Sequence, residues 1–278
     1  MTSEKKTNEE VLKKDAYNET TIADQIHTKW AGKTVHFARE MDSTNLWIKR
    51  LAKEGAPEGT LALAEYQSAG RGRLGRSWEV PEGTSVMMSI LLRPKFEPQF
   101  APMLTLVMGM AVAKAVKDLG FDVSIKWPND VVVSHKKICG ILTEMGVLDG
   151  KIDYAVIGVG INVNIREFPE EMADKATSLY LEGGREFDRS QVPGLVMEAF
   201  EKYYEEFIKT CDLSGLKEKY ESILANYDQP VRVLAREPYE GIARGITNGG
   251  ELLVEKQDGT VVEVSAGEVS VRGLYSYV

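Results

Sequence analysis

Six stretches of the chain combine apolar residues with the short length and flanking turn residues of β-strands. They are "KTVHFARE", "TLALAEYQ", "TSVMMSILLRP", "VSIKWPNDVVV", "KKICGILTEMGVL" and "IDYAVIGVGINVNI". Pro128 interrupts the fourth, because proline cannot donate to a β-ladder. Asp149-Gly150 separates the last two and predicts a hairpin. Strands joined by hairpins favour a mixed or antiparallel sheet over a doubly wound parallel sheet.

Helical patterns lie between and after these strands. In "DSTNLWIKRLAKEGAP", Ser43 or Thr44 can cap the predicted helix. The apolar run "APMLTLVMGMAVAKAV" predicts a helix that starts at Pro102, where proline is tolerated. This run is too short and too interrupted for a membrane span, so we expect a buried helix. Two further helices are predicted near residues 190–209 and 213–226.

The pattern changes after Asn226. Short alternating strands follow, with turns at Asn248-Gly249 and Asp258-Gly259, and these predict a small all-β module, a barrel. The fold class is therefore predicted to be α+β. Its parts are a flexible N-terminal segment (1–24), a domain with a mixed, mainly antiparallel sheet and helices (25–226), and a small C-terminal β-barrel (227–278).

Composition limits the class of protein. The chain has 278 residues, of which 43% are hydrophobic and 27% are charged, as is typical of a soluble globular protein. Its net charge of -8 disfavours general affinity for nucleic acid or an anionic membrane. The N-terminus lacks the apolar core of a signal peptide, so we expect a cytoplasmic protein. The two cysteines and three histidines have no metal-ligand spacing, and no metal site on the protein is expected.

The loop "QSAGRGRLGRSWEV", residues 67–80, is unusual for an acidic protein. It places Arg71, Arg73 and Arg76 among glycines, with no acidic side chain from Gln67 to Trp78. Glycine lets backbone N–H groups approach an anion, and arginine adds permanently charged donors. An anion-binding loop is favoured over an exposed loop that only improves solubility. It is not a Walker A loop, because no Gly-Lys-Ser/Thr follows.

Four other motifs admit both a binding and a structural interpretation. "KWPND", residues 126–130, can bind phosphate, ribose or Mg2+, or can be a turn whose side chains bond their own backbone. "KKICG" contains a lysine that is either partly buried beside an anion or at a solvated strand edge. "GVGIN" allows close approach of a ligand but is a weak signal alone. "DSTN" usually caps a helix, and ligand binding is the minority interpretation.

Taken together, in this order and at these separations, the five motifs closely resemble those of the biotin protein ligases. The resemblance covers nearly all of the chain beyond residue 25. It implies a class II synthetase-like biotin/lipoate ligase catalytic domain followed by an SH3-like barrel. It also implies that the protein activates biotin with ATP, with Mg2+ on the phosphates, to form biotinyl-5′-AMP. Biotin would then pass to a lysine of a biotin carboxyl carrier protein.

The resemblance implies a role for each motif residue. Residues that would bind biotin are Ser43, Thr44, Asn45, Gln67, Gly70, Arg71, Gly72, Arg73, Lys137, Gly140 and Gly160. Residues that would bind ATP or the adenylate are Arg73, Arg76, Trp78, Lys126, Asn129 and Asn162. Arg71, Arg73 and Lys137 would be catalytic, because bringing two anions together requires cations. Asp130 would orient or deprotonate the acceptor lysine.

The resemblance leaves some properties open. Only 42 residues precede Ser43, so we expect a ligase without repressor function. Relatives occur as monomers and as dimers, and a homodimer remains an alternative. Competing functions are a lipoate or octanoate ligase of the same fold, an RNA-binding module and an inactive biotin sensor. We also expect residues 70–77 to be poorly ordered until ligand binds, because the loop must shelter the adenylate and later release it.

Overall fold

The computed structural model describes residues 17–75, 78–266, 270–273 and 277–278. Residues 1–16 of the predicted flexible segment lie outside this range. For residues 17–24 the prediction of a flexible segment is wrong. Helix α1 (Glu19–Asp24) forms there and starts with a capping box between Asn18 and Thr21. Ile22 of this helix is fully buried in the main core. The folded domain therefore begins before residue 25.

The main domain is built on a seven-stranded sheet. The strands are β1 (Val35–Met41), β2 (Leu61–Gln67), β3 (Ser85–Leu92), β4 (Val123–Lys126), β5 (Asp130–Val133), β6 (Lys136–Leu148) and β7 (Lys151–Asn162). Their order across the sheet is β1-β2-β3-β7-β6-β5-β4. Among the described strands, β1 and β2 are parallel and all other neighbours in this sheet are antiparallel. The predicted mixed, mainly antiparallel sheet is confirmed.

Helices cover both faces of this sheet. They are α2 (Thr44–Lys53), α3 (Met103–Asp118), α4 (Glu170–Ala173), α5 (Leu179–Gly183), α6 (Gln191–Phe207) and α7 (Lys217–Glu221). The large core lies under α3 and α6, whereas α2 covers part of the opposite face. On that face Ile48 and Ala52 of the helix pack against Ala62, Leu91 and Val156 of the sheet. The rest of this second face is where the candidate site lies.

The apolar helix α3 is part of the core. Within the described residues, the segment Pro98–Asp118 has the length and hydropathy of a membrane-spanning helix. However, 72% of its most apolar 18-residue stretch is buried inside the protein. It packs against α6 and against β4 to β7. The prediction of a buried core helix is confirmed.

The predicted helix at residues 213–226 is mostly wrong. Helical structure there is confined to α7, and residues 223–225 instead pair with strand β4. The amide of Ile125 donates to the carbonyl of Ile223, and the amide of Ala225 donates to the carbonyl of Ile125. This tertiary pairing extends the sheet edge and prevents the chain from continuing as a helix.

The C-terminal domain is all-β, as predicted. Its strands are β8 (Pro230–Leu234), β9 (Tyr239–Ile246), β10 (Leu252–Glu255), β11 (Val261–Val264) and β12 (Ser270–Gly273). They form an antiparallel sheet in the order β11-β10-β9-β8-β12. Its apolar residues, such as Val231 and Leu252, belong to the same hydrophobic cluster as the core of the main domain. The two domains therefore share a core.

Candidate active site

The floor of the candidate site is a strip of the sheet that lacks side chains. Gly140 on β6 pairs with Gly160 on β7, and Gly158 on β7 pairs with Leu142. On the other side of β7, Gly158 pairs with Ser89 of β3. Because residues alternate between the two faces of a strand, Gly158 and Gly160 share one face. This face is the one that α2 partly covers, and the missing side chains leave a cavity beside the helix.

The cavity brings together most of the residues that the sequence predicted. Those that line it are Ser43, Thr44, Asn45, Gln67, Arg71, Gly72, Arg73, Trp78, Asn129, Lys137, Gly140 and Gly160. Four further lining residues were not predicted, and they are Ile141, Leu142, Gly158 and Val159. Of the other predicted residues, Gly70, Lys126, Asp130 and Asn162 do not line it, and Arg76 lies outside the described residues.

One end of the cavity carries a buried network of neutral polar groups. The side-chain oxygen of Gln67 accepts hydrogen bonds from the Thr44 amide at 2.7 Å and from the Thr44 hydroxyl at 3.1 Å. The hydroxyl of Ser89 lies 2.8 Å from Thr44 Oγ1 and 2.6 Å from Asn45 Oδ1. Ser43 occupies the N-cap position of α2, yet its side chain makes no capping hydrogen bond to any described residue. These groups can recognise a neutral polar ligand.

Glu144 joins this network to the arginine loop. Its carboxylate accepts hydrogen bonds from Asn45 Nδ2 at 2.8 Å and from Lys49 Nζ at 2.6 Å, and it lies 3.5 Å from Arg71 NH1. Burial alone would raise the pKa of Glu144, but the hydrogen bonds from Lys49 and Asn45 and the charge of Arg71 outweigh it. The pKa is therefore held below its usual range. The ionised carboxylate fixes Asn45 and tethers Arg71.

Trp78 lies across the middle of the glycine strip. A Cβ atom at position 160 would lie 2.8 Å from the Trp78 ring, and one at position 140 would lie 3.2 Å from it. The indole therefore packs on Gly140 and Gly160, two of the residues that were predicted to bind biotin, and the predicted contact of Trp78 with ATP stays a prediction. The indole N–H is buried and has no acceptor among the described residues. A ligand acceptor in the cavity would satisfy this donor.

Hydrogen bonds hold the arginine–glycine loop where Trp78 pairs with Gly70 and at Arg73. The Trp78 amide donates to the Gly70 carbonyl at 3.0 Å, and a Cβ at position 70 would lie 2.1 Å from the Trp78 carbonyl oxygen. Arg73 donates to Asn129 Oδ1 at 2.7 Å and to the carbonyl of Ala266 in the C-terminal domain. The expected poor order of residues 70–77 falls partly on residues 76 and 77, outside the described residues, and stays a prediction.

The "KWPND" turn places a second set of charges beside the cavity. Lys137 Nζ lies 2.7 Å from Asp130 Oδ1, and both side chains are largely buried. The hydroxyl of Tyr277 donates to Asp130 Oδ2 at 2.5 Å. The ammonium of Lys126 lies 3.5 Å from the centre of the Tyr277 ring. Lys137 Nζ also lies 2.9 Å from where a Cβ of residue 140 would be, so this cation reaches the glycine strip.

Asn162 ends the glycine strip with a buried polar atom that has no partner among the described residues. Its side chain is 3% exposed, and its Nδ2 donates to the Thr177 carbonyl at 3.0 Å. Its Oδ1 is buried and accepts no hydrogen bond from any residue that the structure describes. An orphaned buried oxygen is costly unless a ligand pairs with it. The role of Asn162 in binding ATP or the adenylate stays a prediction.

Sequence reasoning missed Ser89, Glu144 and Tyr277. Ser89 interrupts the apolar run "VMMSILL", and Glu144 interrupts "ICGILTEMGVL", so each carried a weak signal as a polar residue in a buried strand. Nothing in the local sequence marked Tyr277, which is 147 residues from its partner Asp130.

Comparisons with known proteins match both domains of the chain. The model of the biotin/lipoate A/B protein ligase family matches residues 37–162, and that of the biotin protein ligase C-terminal domain matches residues 228–272. The bifunctional ligase/repressor BirA of Bacillus subtilis is 36% identical over 253 residues, which cover 90% of this chain and 78% of that protein. The biotin--[acetyl-CoA-carboxylase] ligase of Mycobacterium tuberculosis is 30% identical over 259 residues, which cover 91% of this chain and 94% of that protein.

A solved structure shows the same fold. It is the biotin protein ligase from Aquifex aeolicus in complex with biotin and ATP. Its TM-score is 0.77 at 34% identity, and the match covers 87% of this chain and 99% of that chain. The resemblance that the five motifs indicated is confirmed over both domains, and the chain belongs to the biotin/lipoate A/B protein ligase family.

Proposed function

We propose that the chain is an ATP-dependent biotin protein ligase. In the first step the biotin carboxylate attacks the α-phosphate of ATP, which gives biotinyl-5′-AMP and pyrophosphate. In the second step a lysine amine of a biotin carboxyl carrier domain attacks the activated carbonyl, and AMP leaves. The observation that carries the proposal is the cavity itself, in which a neutral polar end and three cations, Arg71, Arg73 and Lys137, meet over a strip of glycines.

The shape of the cavity supports biotin as the first substrate. Biotin has a neutral ureido head group, an apolar bicyclic body and chain, and a terminal carboxylate. The network of Thr44, Asn45 and Gln67 offers hydrogen-bonding groups for the head. Gly158 and Gly160 line the cavity beside the side chains of Asn45 and Trp78 and add no side chains of their own where the body would lie. Lys137 lies against the strip near Gly140, where the carboxylate of a bound biotin would reach it.

The charges around the cavity support adenylate formation. A carboxylate and a triphosphate repel each other, and little covalent chemistry is required of the protein beyond positioning and charge stabilisation. Arg73 and Lys137 line the cavity and would neutralise the charge that develops at the α-phosphate. Asn129, which receives the hydrogen bond from Arg73, keeps this arginine directed toward the turn.

Mg2+ would accompany ATP in this reaction. The described residues contain no group of three or more His, Cys, Asp or Glu side chains that could hold a metal ion. Asn162 Oδ1, buried without a hydrogen bond from the described residues, fits the oxygen ligands that Mg2+ prefers. The ion would arrive on the phosphates, with Asn162 as one protein ligand, and would neutralise their charge.

Asp130 is suited to orient the acceptor lysine. A free lysine has a pKa of roughly 10.4, so the incoming amine arrives mainly protonated and is attracted by a carboxylate. Both oxygens of Asp130 already lie close to donors, Lys137 Nζ and the Tyr277 hydroxyl. Because both carboxylate oxygens already have partners, orientation of the incoming amine by charge is favoured over its deprotonation by Asp130.

The direct test is carrier biotinylation. The protein is mixed with biotin, ATP, Mg2+ and a biotin carboxyl carrier domain, and biotinylated carrier is measured by mass spectrometry. Pyrophosphate release without carrier reports the first step separately. We expect Lys137→Ala to abolish adenylate formation while circular dichroism stays unchanged. Transfer of octanoate or lipoate in place of biotin would refute the proposal and assign the chain to the lipoate branch of the family.

A further inference from the structure

The side chain of Tyr277, in the C-terminal domain, contacts the "KWPND" turn beside the candidate active site. We propose that Tyr277 is a positioning residue for adenylate formation, which acts by holding Asp130 and through it Lys137. This inference rests on the proposed ligase function. The Tyr277 hydroxyl donates to Asp130 Oδ2 at 2.5 Å, while Lys137 Nζ lies 2.7 Å from Oδ1 of the same carboxylate. The carboxylate is thus held from both sides, and its orientation sets the position of the lysine.

The ring of Tyr277 makes a second contact at the same turn. The ammonium of Lys126 lies 3.5 Å from the ring centre, and Lys126 is only 5% exposed. A buried ammonium over an aromatic face is attracted by the negative charge density of the ring. Tyr277 therefore touches the first and last residues of "KWPND", and its hydroxyl and its ring have separable tasks.

Independent contacts show that this turn and the arginine loop both rest on the C-terminal domain. Arg73 donates to the carbonyl of Ala266 as well as to Asn129. The indole N–H of Trp127, in the same turn, donates to the Gly250 carbonyl at 2.9 Å. The docking of the domain is therefore fixed without Tyr277, and removal of the tyrosine hydroxyl alone should leave it in place.

The proposal predicts a specific kinetic defect. Without the hydroxyl, Asp130 loses the donor to its Oδ2 and can rotate, so Lys137 no longer has a fixed position. A catalytic group displaced by about 1 Å can cost a factor of roughly 100 in rate. Tyr277→Phe should therefore lower kcat for pyrophosphate release by roughly 10- to 100-fold. The KM for biotin should stay unchanged, because the polar end of the cavity does not involve Tyr277.

A second substitution separates the ring from the hydroxyl. Tyr277→Leu removes both groups and should in addition raise the KM for ATP, because Lys126 loses its aromatic partner. Tyr239→Phe is the matched control, since Tyr239 is another tyrosine of the C-terminal domain whose ring packs on a lysine, Lys256, at 4.5 Å. Neither Tyr239 nor Tyr277 lines the cavity. This control should have the kcat of the wild type.

A double-mutant cycle decides whether Tyr277 acts through Asp130. In an Asp130→Asn background, Tyr277→Phe should cause no further loss of kcat, whereas independent effects would multiply. Multiplied losses, or a Tyr277→Phe variant with the kcat of the wild type, would overturn the proposal. Thermal unfolding of each variant identifies any that fails to fold. If the wild-type protein releases no pyrophosphate with biotin and ATP, the ligase function itself fails, which is a distinguishable result.

Discussion

Gly158 leaves room for the Asn45 side chain at the polar end of the cavity. A Cβ atom at position 158 would lie 2.1 Å from Asn45 Oδ1, far inside van der Waals contact. Gly158→Ala must therefore displace Asn45 and break its hydrogen bonds to Ser89 and Glu144. Loss of two buried hydrogen bonds should weaken biotin binding by about 2–3 kcal/mol. The change is measured by isothermal titration of biotin.

The control for this substitution is another buried glycine that has space. At Gly109 of α3 an added Cβ would meet its nearest atom at 3.7 Å, which is an ordinary contact. Gly109→Ala should bind biotin like the wild type, and its helix should gain about 1 kcal/mol in propensity. Equal biotin affinities for the two alanine variants would contradict the assignment of Asn45 to the biotin head group.

Glu144 should matter for binding through its charge. Glu144→Gln keeps the size of the side chain, but Lys49 and Arg71 lose their anionic partner. The affinity for biotin should fall by about 1–2 kcal/mol at pH 7. Because the folded pKa of Glu144 is depressed, the charged network is complete above the ordinary glutamate pKa of roughly 4.3 and is lost as pH falls through the folded value.

The pH profile distinguishes charge from packing at this position. The affinity gap between wild type and Glu144→Gln should close as pH falls from the ordinary glutamate pKa of roughly 4.3 through the lower folded pKa, since protonation removes the same charge that the substitution removes. Titrations of biotin at several pH values test this, with circular dichroism to confirm that both proteins remain folded. A gap that is constant with pH would contradict a role for the charge of Glu144.

At the scale of elements, local patterns predicted the strands well. β3, β6 and β7 follow from apolar runs and from Asp149-Gly150, which is a turn between β6 and β7. The predicted helix at residues 213–226 was mostly wrong, because the hydrogen bonds of residues 223–225 go to Ile125, which is 98 residues away from Ile223. Local propensity contains no information about such a partner.

The same distinction explains what the sequence could predict of the site. Asn45, Arg71 and Lys137 could be predicted because they belong to the five motifs whose order and separations resemble those of the biotin protein ligases. Ser89 depends on the register of β3 against β7, which no turn in the sequence specifies. Tyr277 depends on how the two domains dock. These long-range facts require the folded structure.

Helix α6 anchors the segment before β1 through one buried carboxylate. Glu201 accepts hydrogen bonds from the backbone amides of Lys29, Trp30 and Ala31 at 2.8 to 3.1 Å. Burial alone would raise the pKa of Glu201, but these three donors outweigh it and hold the pKa below its usual range. Glu201→Gln should lower the free energy of unfolding at pH 7 by about 1–3 kcal/mol, as measured by urea denaturation.

The pH dependence of this contribution follows from the depressed pKa. Stability from the Glu201 carboxylate is fully present above the ordinary glutamate pKa of roughly 4.3 and is lost as pH falls through the folded value. The stability difference between wild type and Glu201→Gln should therefore shrink as pH falls through the folded pKa of Glu201, which lies below the ordinary value. Glu205→Gln on the same helix is the control, because no backbone amide of the described residues donates to Glu205. A difference that persists in acid would assign the effect to packing.

At the scale of the whole molecule, the two domains form one structural unit. Val231, Ala243 and Leu252 of the C-terminal domain belong to the same hydrophobic cluster as Leu104 and Val107 of helix α3. A Cβ at Gly250 would meet the side chains of Leu106, Leu213 and Met103 at 3.2 to 3.3 Å, which shows how closely the domains approach. The arginine–glycine loop and the "KWPND" turn contact the C-terminal domain at the same junction, so stability and site geometry are coupled there.

Trp127 should therefore control the stability of both domains together. It is 1% exposed, and its indole N–H donates to the Gly250 carbonyl across the junction at 2.9 Å. Trp127→Phe removes this hydrogen bond and leaves a cavity, so the free energy of unfolding should fall by about 2–4 kcal/mol.

Because the two domains share a core, wild type and variant should each unfold in one transition. Circular dichroism and calorimetry measure this. Trp47→Phe, at a partly buried position of α2, is the control and should cost less. Two separate transitions in the wild type, of which Trp127→Phe shifts only one, would show that the C-terminal domain folds independently of the site that it contacts.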